Sequence, residues 1–142
     1  MTRPPKQSLH AVALVVPDYD LAIEFYCGRL GWQLAEDIDQ GHKRWVRIVP
    51  PGASQDSSQG ASQASLILAQ AASPAQTAAI GNQFGDRVGL FLTTDDFARD
   101  HAAMTKAGVT FEEAPRHEPY GTVAVWQDPF GNRWDLLQLS NP

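Results

Sequence analysis

A strand-and-helix unit occurs twice in this chain of 142 residues and limits the folds open to it. In the first copy an apolar run leads to Asp18, and the amphipathic stretch that follows ends at Gly31. In the second copy Asp95 and Gly108 hold the corresponding positions, and Asp and Gly lie 13 residues apart in both. An Asp side chain accepts hydrogen bonds from the first free N–H groups of a helix, and Gly adopts the left-handed conformation that ends one. The repeat therefore predicts two modules with pseudo-two-fold symmetry.

The order of predicted elements is βαβββ in each module. The first module is predicted to hold a helix over residues 18–29 and strands over 9–16, 32–37, 43–49 and 65–70. The second is predicted to hold a helix over 96–107 and strands over 88–94, 109–112, 121–127 and 133–139. This pattern of strands and isolated helices predicts an α+β fold.

A single domain is expected across residues 1–142, because the length suits one ordinary core. Module one covers about 8–71, a linker covers 72–86, and module two covers 87–139. The linker contains Pro74 and several Ala residues, which leave room for one or two helical turns. The polar stretch at 50–63 is expected to be a mobile hairpin tip, since it has few large apolar groups to offset its ordering entropy.

The composition disfavours several classes of partner and location. The net charge of −5 argues against nucleic acid and anionic membranes as partners. The single cysteine, Cys27, allows no internal disulfide, so a reducing compartment is expected. No apolar run approaches the roughly 20 residues that span a bilayer, and the N-terminus lacks an apolar signal core. We therefore expect a soluble, cytoplasmic protein.

The predicted strand at 43–49 alternates between two kinds of side chain. Val46 and Ile48 leave one face and suit packing under a helix, whereas Trp45 and Arg47 leave the other. An aromatic ring and a cation on the concave face of a sheet indicate a ligand site. The alternative is a Trp that belongs to the core and an Arg that lies at a solvated rim.

Two motifs carry a family resemblance: Phe25-Tyr26-x-x-x-Leu30-Gly31 and Asp128-Pro129-Phe130-Gly131-Asn132-Arg133-Trp134-Asp135-Leu136. In the second, Pro fixes φ and Gly permits positive φ, as a tight turn between two strands requires. Together with the paired modules, they resemble the vicinal oxygen chelate superfamily, which includes glyoxalase I, extradiol dioxygenases and bleomycin-resistance proteins. The resemblance runs from about Leu9 to Leu139. It implies that the two βαβββ modules form one incomplete mixed barrel with the helices outside, and that the protein is a homodimer.

The resemblance also implies positions for a divalent metal ion, held by His, Glu or Gln on the first strand of each module and on later strands. Here these positions carry Ala11 and Gly89, and the strand at 65–70 has no acidic residue. His10 would face away from the cavity unless a bulge turned it inward. Asp135 is the one surviving ligand position, and a lone carboxylate cannot hold a hard cation that needs several donors. We therefore expect no metal and no other cofactor.

Three other histidines are weaker candidates for a functional role. His42 lies in a predicted hairpin turn, where a solvated side chain is favoured. His101 has the helical spacing to Phe97 and Met104 that predicts packing between helix and sheet. His117 lies in a loop expected beside the mouth of the cleft, which leaves a functional role open.

The leading interpretation is a metal-free small-molecule-binding protein of the glyoxalase and bleomycin-resistance type. The candidate substrate-binding residues are Trp45, Arg47, Phe91, Tyr120 and Asp135. Arg47 and Asp135 are expected to face one cavity without pairing, which would leave Arg47 free to hold the carboxylate of an aromatic acid. Two alternatives stay open: a metal-dependent lyase, epimerase or dioxygenase of the same superfamily, and a metal-free enzyme with Asp135 as general base.

Overall fold

The computed structural model describes residues 3–53 and 64–140. Its first module consists of β1 (Ala11–Val16), α1 (Tyr19–Ile23), a π-helix (Glu24–Arg29), β2 (Gln33–Asp39), β3 (Arg44–Val49) and β4 (Ser65–Gln70). The linker contains α2 (Pro74–Ala79) and β5 (Gln83–Asp86). The second module consists of β6 (Leu90–Thr93), α3 (Phe97–Lys106), β7 (Thr110–Phe111), β8 (Arg116–Glu118), β9 (Gly121–Gln127) and β10 (Arg133–Leu139).

Apart from β5, the strands form two mixed sheets with matching strand orders. The first sheet has the order β1-β4-β3-β2, and the second has β6-β10-β9-β7 with β8 also paired to β9. In each sheet the first strand of the module pairs in parallel with the last strand, and the other neighbours are antiparallel. This confirms the α+β fold built from a repeated module. Neither sheet closes into a barrel within the described residues.

The two module helices begin with a capping Asp, but the second cap is not the predicted residue. Asp18 accepts a hydrogen bond from the Leu21 N–H at 2.9 Å and caps α1. In the second module the N-cap is Asp96, whose carboxylate accepts from the Arg99 N–H at 3.0 Å. The assignment of this cap to Asp95 is therefore wrong. Asp95 is exposed and pairs with the Arg99 side chain.

The first helix differs from the second in its internal hydrogen bonding. Gly31 and Gly108 follow the two helices with φ of 76° and 92°, as predicted. From Asp96 to Gly108 is 12 residues, one fewer than from Asp18 to Gly31. The π-helix Glu24–Arg29, in which each turn spans one more residue than an α-helical turn, accommodates the extra residue.

Most predicted elements are present, with small differences at their ends. The predicted helical turns of the linker are α2, whereas β5 and β8 were not predicted. The expected mobile hairpin tip lies mostly at 54–63, outside the described residues; before it, the Ala53 N–H donates to the Pro50 carbonyl at 3.1 Å in a turn. Within the described ranges, no helix is long and apolar enough to cross a membrane.

One core joins the two modules through the aromatic residues of the first helix. Phe25 and Tyr26 are buried and contact Trp126 and Trp134 on the second sheet. The Tyr26 hydroxyl donates to the Asp128 carboxylate at 2.6 Å and accepts from the Trp134 indole N–H at 3.1 Å. The two sequence motifs, 102 residues apart, therefore meet in a buried hydrogen bond.

Candidate functional site

The face of the first sheet that carries Arg47 is the first candidate surface. Arg47 pairs with Ile67 on β4, and Ile67 pairs with Ala13 on β1, so the three side chains share one face. Trp45 lies two residues from Arg47 and shares it too. On the opposite face Val46 and Ile48 are fully buried, which confirms the predicted alternation of β3. We call the Arg47 side the first site face.

Arg47 is paired with a carboxylate on the neighbouring strand. Its Nε donates to Glu36 at 2.6 Å, and its Nη1 donates to the Ser65 hydroxyl at 3.0 Å. The Trp45 indole N–H also donates to Glu36, at 3.1 Å. The hydrogen bonds from Arg47 and Trp45 hold the pKa of Glu36 below its usual range. The expectation that Arg47 stands free for a ligand carboxylate is therefore wrong.

A β-bulge places Glu36 beside Arg47, and for that reason the sequence did not indicate the pair. β2 pairs Leu34 with Ile48, but the next pair joins Glu36 to Arg47, so Ala35 is left over. Without that extra residue Glu36 would lie opposite the neighbouring residue of β3 and point to the other face of the sheet. The opposite charges were visible in the sequence, but the bulge that aligns them was not.

The second site face is the side of the second sheet that carries Asp135. Asp135 lies opposite Phe91 on β6 and Val125 on β9. Its Oδ1 atom is buried and has no hydrogen-bond partner. Burial is the main reason that the pKa of Asp135 is raised, and the nearby Arg116 partly offsets it. Beside this carboxyl, the Phe91 side chain is 58% exposed.

The arginines near Asp135 are held by glutamates. Arg116 donates to Glu113 at 2.6 Å and to Glu118 at 3.1 Å. Arg133 makes two hydrogen bonds of 2.8 Å to the Glu112 carboxylate. The positive charges of Arg116 and Arg133 act to lower the pKa of Asp135. Within the described ranges, however, neither guanidinium donates a hydrogen bond to the Asp135 carboxyl. The Asp135 carboxyl is therefore a polar group on the second site face that no described residue satisfies.

Four of the five predicted site residues lie on the two sheets, and the fifth lies in a turn. Trp45 and Arg47 lie on the first site face, and Phe91 and Asp135 lie on the second. Tyr120, 50% exposed, lies in the turn between β8 and β9. No hydrogen bond or ion pair joins Arg47 to Asp135 in the described part of the chain. That all five line one cavity stays a prediction.

Two linker residues, Gln83 and Phe84, join the edge of the first sheet to the start of the second; we call them the linker seam. The Gln83 carboxamide accepts from the Val15 N–H at 2.8 Å and donates to the Ala13 carbonyl at 2.7 Å. The Phe84 ring lies against Gly89, where an added Cβ would come within 2.2 Å of Cγ of the ring. The linker seam therefore contacts both β1, the edge strand of the first sheet, and Gly89, which directly precedes β6 of the second sheet.

The residues at the implied metal positions do not fit a metal ion. Ala11 has no donor atom and lies opposite Ser65 on β4. Gly89 has no space for a ligating side chain, because Phe84 occupies the position where it would begin. Among residues 3–53 and 64–140, no group of three His, Cys, Asp or Glu side chains could hold an ion. Asp135 alone cannot supply the several donors that a divalent ion requires.

Of the histidines, His10 is near enough to Glu36 for its charge to help lower the pKa of that carboxyl, whereas His101 and His117 are directed away from the site faces. β1 pairs with β4 in unbroken register from Ala11, so no bulge within this strand turns the preceding His10. His101 packs between Phe97 and Phe111, as predicted for a helix-to-sheet contact. His117 pairs with Thr122 and directly follows Arg116 along β8. Because successive side chains of a strand point to opposite faces, the His117 side chain points away from the face that carries Arg116.

A separate groove of about 720 Å³ lies between the end of the first helix and α3. Apolar residues such as Leu30, Trp32 and Met104 line it. Two arginines also line the groove: Arg99 is bound to Asp95 and Asp100, each at 2.8 Å, and Arg29 is paired with Glu24 at 3.5 Å. None of the five predicted site residues lines this groove. We favour the site faces because they carry a buried polar atom without a partner.

Comparison with known proteins finds relatives that match along almost the whole chain. The chain is 49% identical to an uncharacterized protein of Shewanella frigidimarina, and the match covers 96% of each. Among solved structures it is similar to TnmS3, an antibiotic binding protein from Streptomyces sp. CB03234. That match has 28% identity and a TM-score of 0.73, and it covers 97% of this chain and 100% of the other.

A second structure from the same organism is described as a glyoxalase/bleomycin resistance protein. It is 30% identical, with a TM-score of 0.68, and the match covers 92% of this chain and 100% of that one. The family pattern itself matches residues 8–136, which include the linker and all but the last few residues of the two modules. The chain therefore belongs to the Glyoxalase/Bleomycin resistance protein/Dioxygenase superfamily.

Proposed function

We propose that this protein binds a small aromatic molecule on its two site faces without a metal ion. The observation that carries the proposal is the buried Oδ1 of Asp135, which has no hydrogen-bond partner. A buried polar atom without a partner is costly, and a ligand that supplied one would recover that free energy. The similarity to an antibiotic binding protein, TnmS3, supports the same role.

Aromatic surface beside the polar groups favours a ring-containing ligand. Phe91 and Tyr120 are at least half exposed, and Trp45 is partly exposed with its indole N–H bound to Glu36. A ligand ring could stack on such side chains and remove apolar area from water. An aromatic acid was the ligand expected from Arg47, but it would now have to compete with Glu36 for the guanidinium.

A metal-free enzyme is the second candidate function. Its support is the raised pKa of Asp135, since a partly buried carboxyl is a common general base. The residues at the implied metal positions argue against the metal-dependent lyase, epimerase or dioxygenase. For the protein as a whole we propose a cytoplasmic homodimer.

A thermal-shift screen of aromatic compounds, followed by two blocking variants, tests the binding site. Ala13→Trp places a large ring on the first site face, and Ala103→Trp fills the groove beside α3. We expect compounds that stabilise the wild type to lose affinity at least tenfold in Ala13→Trp and to keep it in Ala103→Trp. The reverse result would place the ligand in the groove, and a screen without any stabilising compound would contradict the proposed function.

A further inference from the structure

The polar groups of the two site faces differ in whether the protein already satisfies them. On the first face Arg47, Glu36 and Ser65 form one hydrogen-bonded set. On the second, Arg116 is bound by two glutamates and Arg133 by a third. Every guanidinium on these faces therefore has a carboxylate partner within the described chain.

Asp135 is the exception on these faces. No described residue donates a hydrogen bond to it, and its Oδ1 is buried. A carboxylate only accepts hydrogen bonds, so the missing partner must be a donor. The two site faces together carry five acidic residues: Asp135 and the glutamates 36, 112, 113 and 118. They carry three arginines, at positions 47, 116 and 133. This excess of negative charge disfavours an anionic ligand.

From this we infer that Asp135 selects the ligand, and that the ligand is an aromatic molecule bearing an amine or hydroxyl donor and no carboxylate. The inference rests on the proposed function and specifies the chemistry of its ligand. It replaces the aromatic acid that a free Arg47 would have favoured.

The register of β6 and β10 gives the inference a geometry. Phe91 and Asp135 are direct neighbours on adjacent strands, and adjacent strands lie about 4.8 Å apart. A ring stacked on the exposed Phe91 side chain would therefore bring a substituent on its edge close to the Asp135 carboxyl. An aromatic ring with an amino or hydroxyl group on its edge suits this spacing.

Three probes with one ring system test the inference: an aminoacridine, unsubstituted acridine and the acridine carboxylate substituted at the same ring carbon. Their affinities are measured by fluorescence titration of the full chain at one fixed ionic strength. We expect the wild type to bind the aminoacridine at least tenfold more tightly than the carboxylate, with acridine between them.

Asp135→Asn and Phe91→Leu are the test variants, and Glu118→Gln is the matched control. Asp135→Asn is expected to reduce the preference for the aminoacridine at least fivefold, and Phe91→Leu to weaken all three probes. Glu118→Gln removes one negative charge from the same face but leaves the Asp135 carboxyl in place, so the preference should persist. Circular dichroism and thermal midpoints establish that each variant is folded.

The possible results separate this inference from the function on which it rests. If the wild type binds all three probes equally, or if Glu118→Gln abolishes the preference as fully as Asp135→Asn does, Asp135 does not select the ligand. Binding itself would then stand, and with it the proposed function. If no probe binds to the folded wild type, the aromatic binding surface is itself contradicted.

Discussion

At the scale of single residues, the pair formed by Glu36 and Arg47 determines what the first site face can bind. The Arg47 side chain is 12% exposed and the Glu36 side chain is 36% exposed, so the pair is partly in contact with water, mainly through Glu36. Solvent screening limits what such a pair contributes, and without the acid the largely buried guanidinium would keep only the Ser65 hydroxyl as a partner. The pair therefore matters more for the charge of the site than for the stability of the fold.

Glu36→Gln is expected to lower the free energy of unfolding by about 1 kcal/mol at neutral pH, after allowance for solvent screening. The pKa of Glu36 is lowered in the folded protein, so its contribution is present above the ordinary Glu pKa and is lost as the pH falls through the folded value. Urea unfolding of wild type and variant at pH 7 and near pH 3 measures both. An equal loss at the two pH values would contradict this account.

Sequence patterns located the candidate residues better than they located the partners of those residues. Alternation along β3 placed Trp45 and Arg47 correctly, because side-chain direction follows from strand period alone. Glu36 lies beside Arg47 only because of the bulge in β2. The Phe84 ring lies against Gly89 only because of the path that the linker takes back to the second sheet. Bulges and long-range linker contacts are set by tertiary packing, which no local pattern records.

At the scale of elements, the first helix makes a buried polar contact that helps to hold the modules together. Its Tyr26 hydroxyl lies between Asp128 and Trp134, both in the second module. Asp128 also accepts from the N–H groups of Phe130 and Asn132, each at 2.9 Å, so one carboxylate fixes both the turn and the helix. The turn between β9 and β10 is thereby tied to the opposite module.

Tyr26→Phe is expected to lower the free energy of unfolding by about 1–3 kcal/mol, because Asp128 loses a donor and the Trp134 N–H loses its acceptor in a buried site. Urea unfolding measures the loss. The control is Tyr19→Phe, whose hydroxyl accepts from the Arg44 N–H at 3.3 Å near the surface, and it should cost less. Equal costs for the two variants would show that the buried bond does not join the modules as described.

Element boundaries were predictable wherever one residue decides them. Gly31 and Gly108 end their helices as predicted, because positive φ favours Gly strongly. The choice between Asp95 and Asp96 as the second cap was not decidable locally, since either carboxylate can cap a helix. The π-helix also has no local sequence signal. The extra residue in the first helix follows only from comparing the positions of the two N-caps, Asp18 and Asp96.

At the scale of the whole molecule, the two sheets present open faces with exposed apolar groups. Phe91 and Leu139 are each more than half exposed on the second sheet, and Ile38 is 49% exposed on the edge strand of the first. Apolar groups grouped on open sheets are commonly covered by a ligand or another subunit. This exposure is consistent with the expected homodimer.

Sedimentation velocity at micromolar concentration is expected to give a dimer with an isologous interface. A wild-type monomer under these conditions would contradict the expected dimer.

Metal independence is also a property of the whole molecule, because the implied ligands come from both modules. Adding Ni²⁺, Zn²⁺, Mn²⁺ or Fe²⁺ should leave the thermal midpoint unchanged, whereas an ion held at 100 times its dissociation constant would stabilise the fold by about 2.7 kcal/mol. The double variant Ala11→His with Gly89→His should not gain a site, since Phe84 blocks residue 89. A stoichiometric ion in the purified wild type would overturn this prediction.

The linker seam has a consequence for solubility. An edge strand with free N–H and C=O groups is a template on which another chain can add a strand and begin to aggregate. The Gln83 carboxamide occupies one such pair on β1, donating to Ala13 and accepting from Val15 as a neighbouring strand would. A single side chain thus protects part of this edge against unwanted pairing with other chains, a protection that long edges usually obtain from charge, proline or a covering loop.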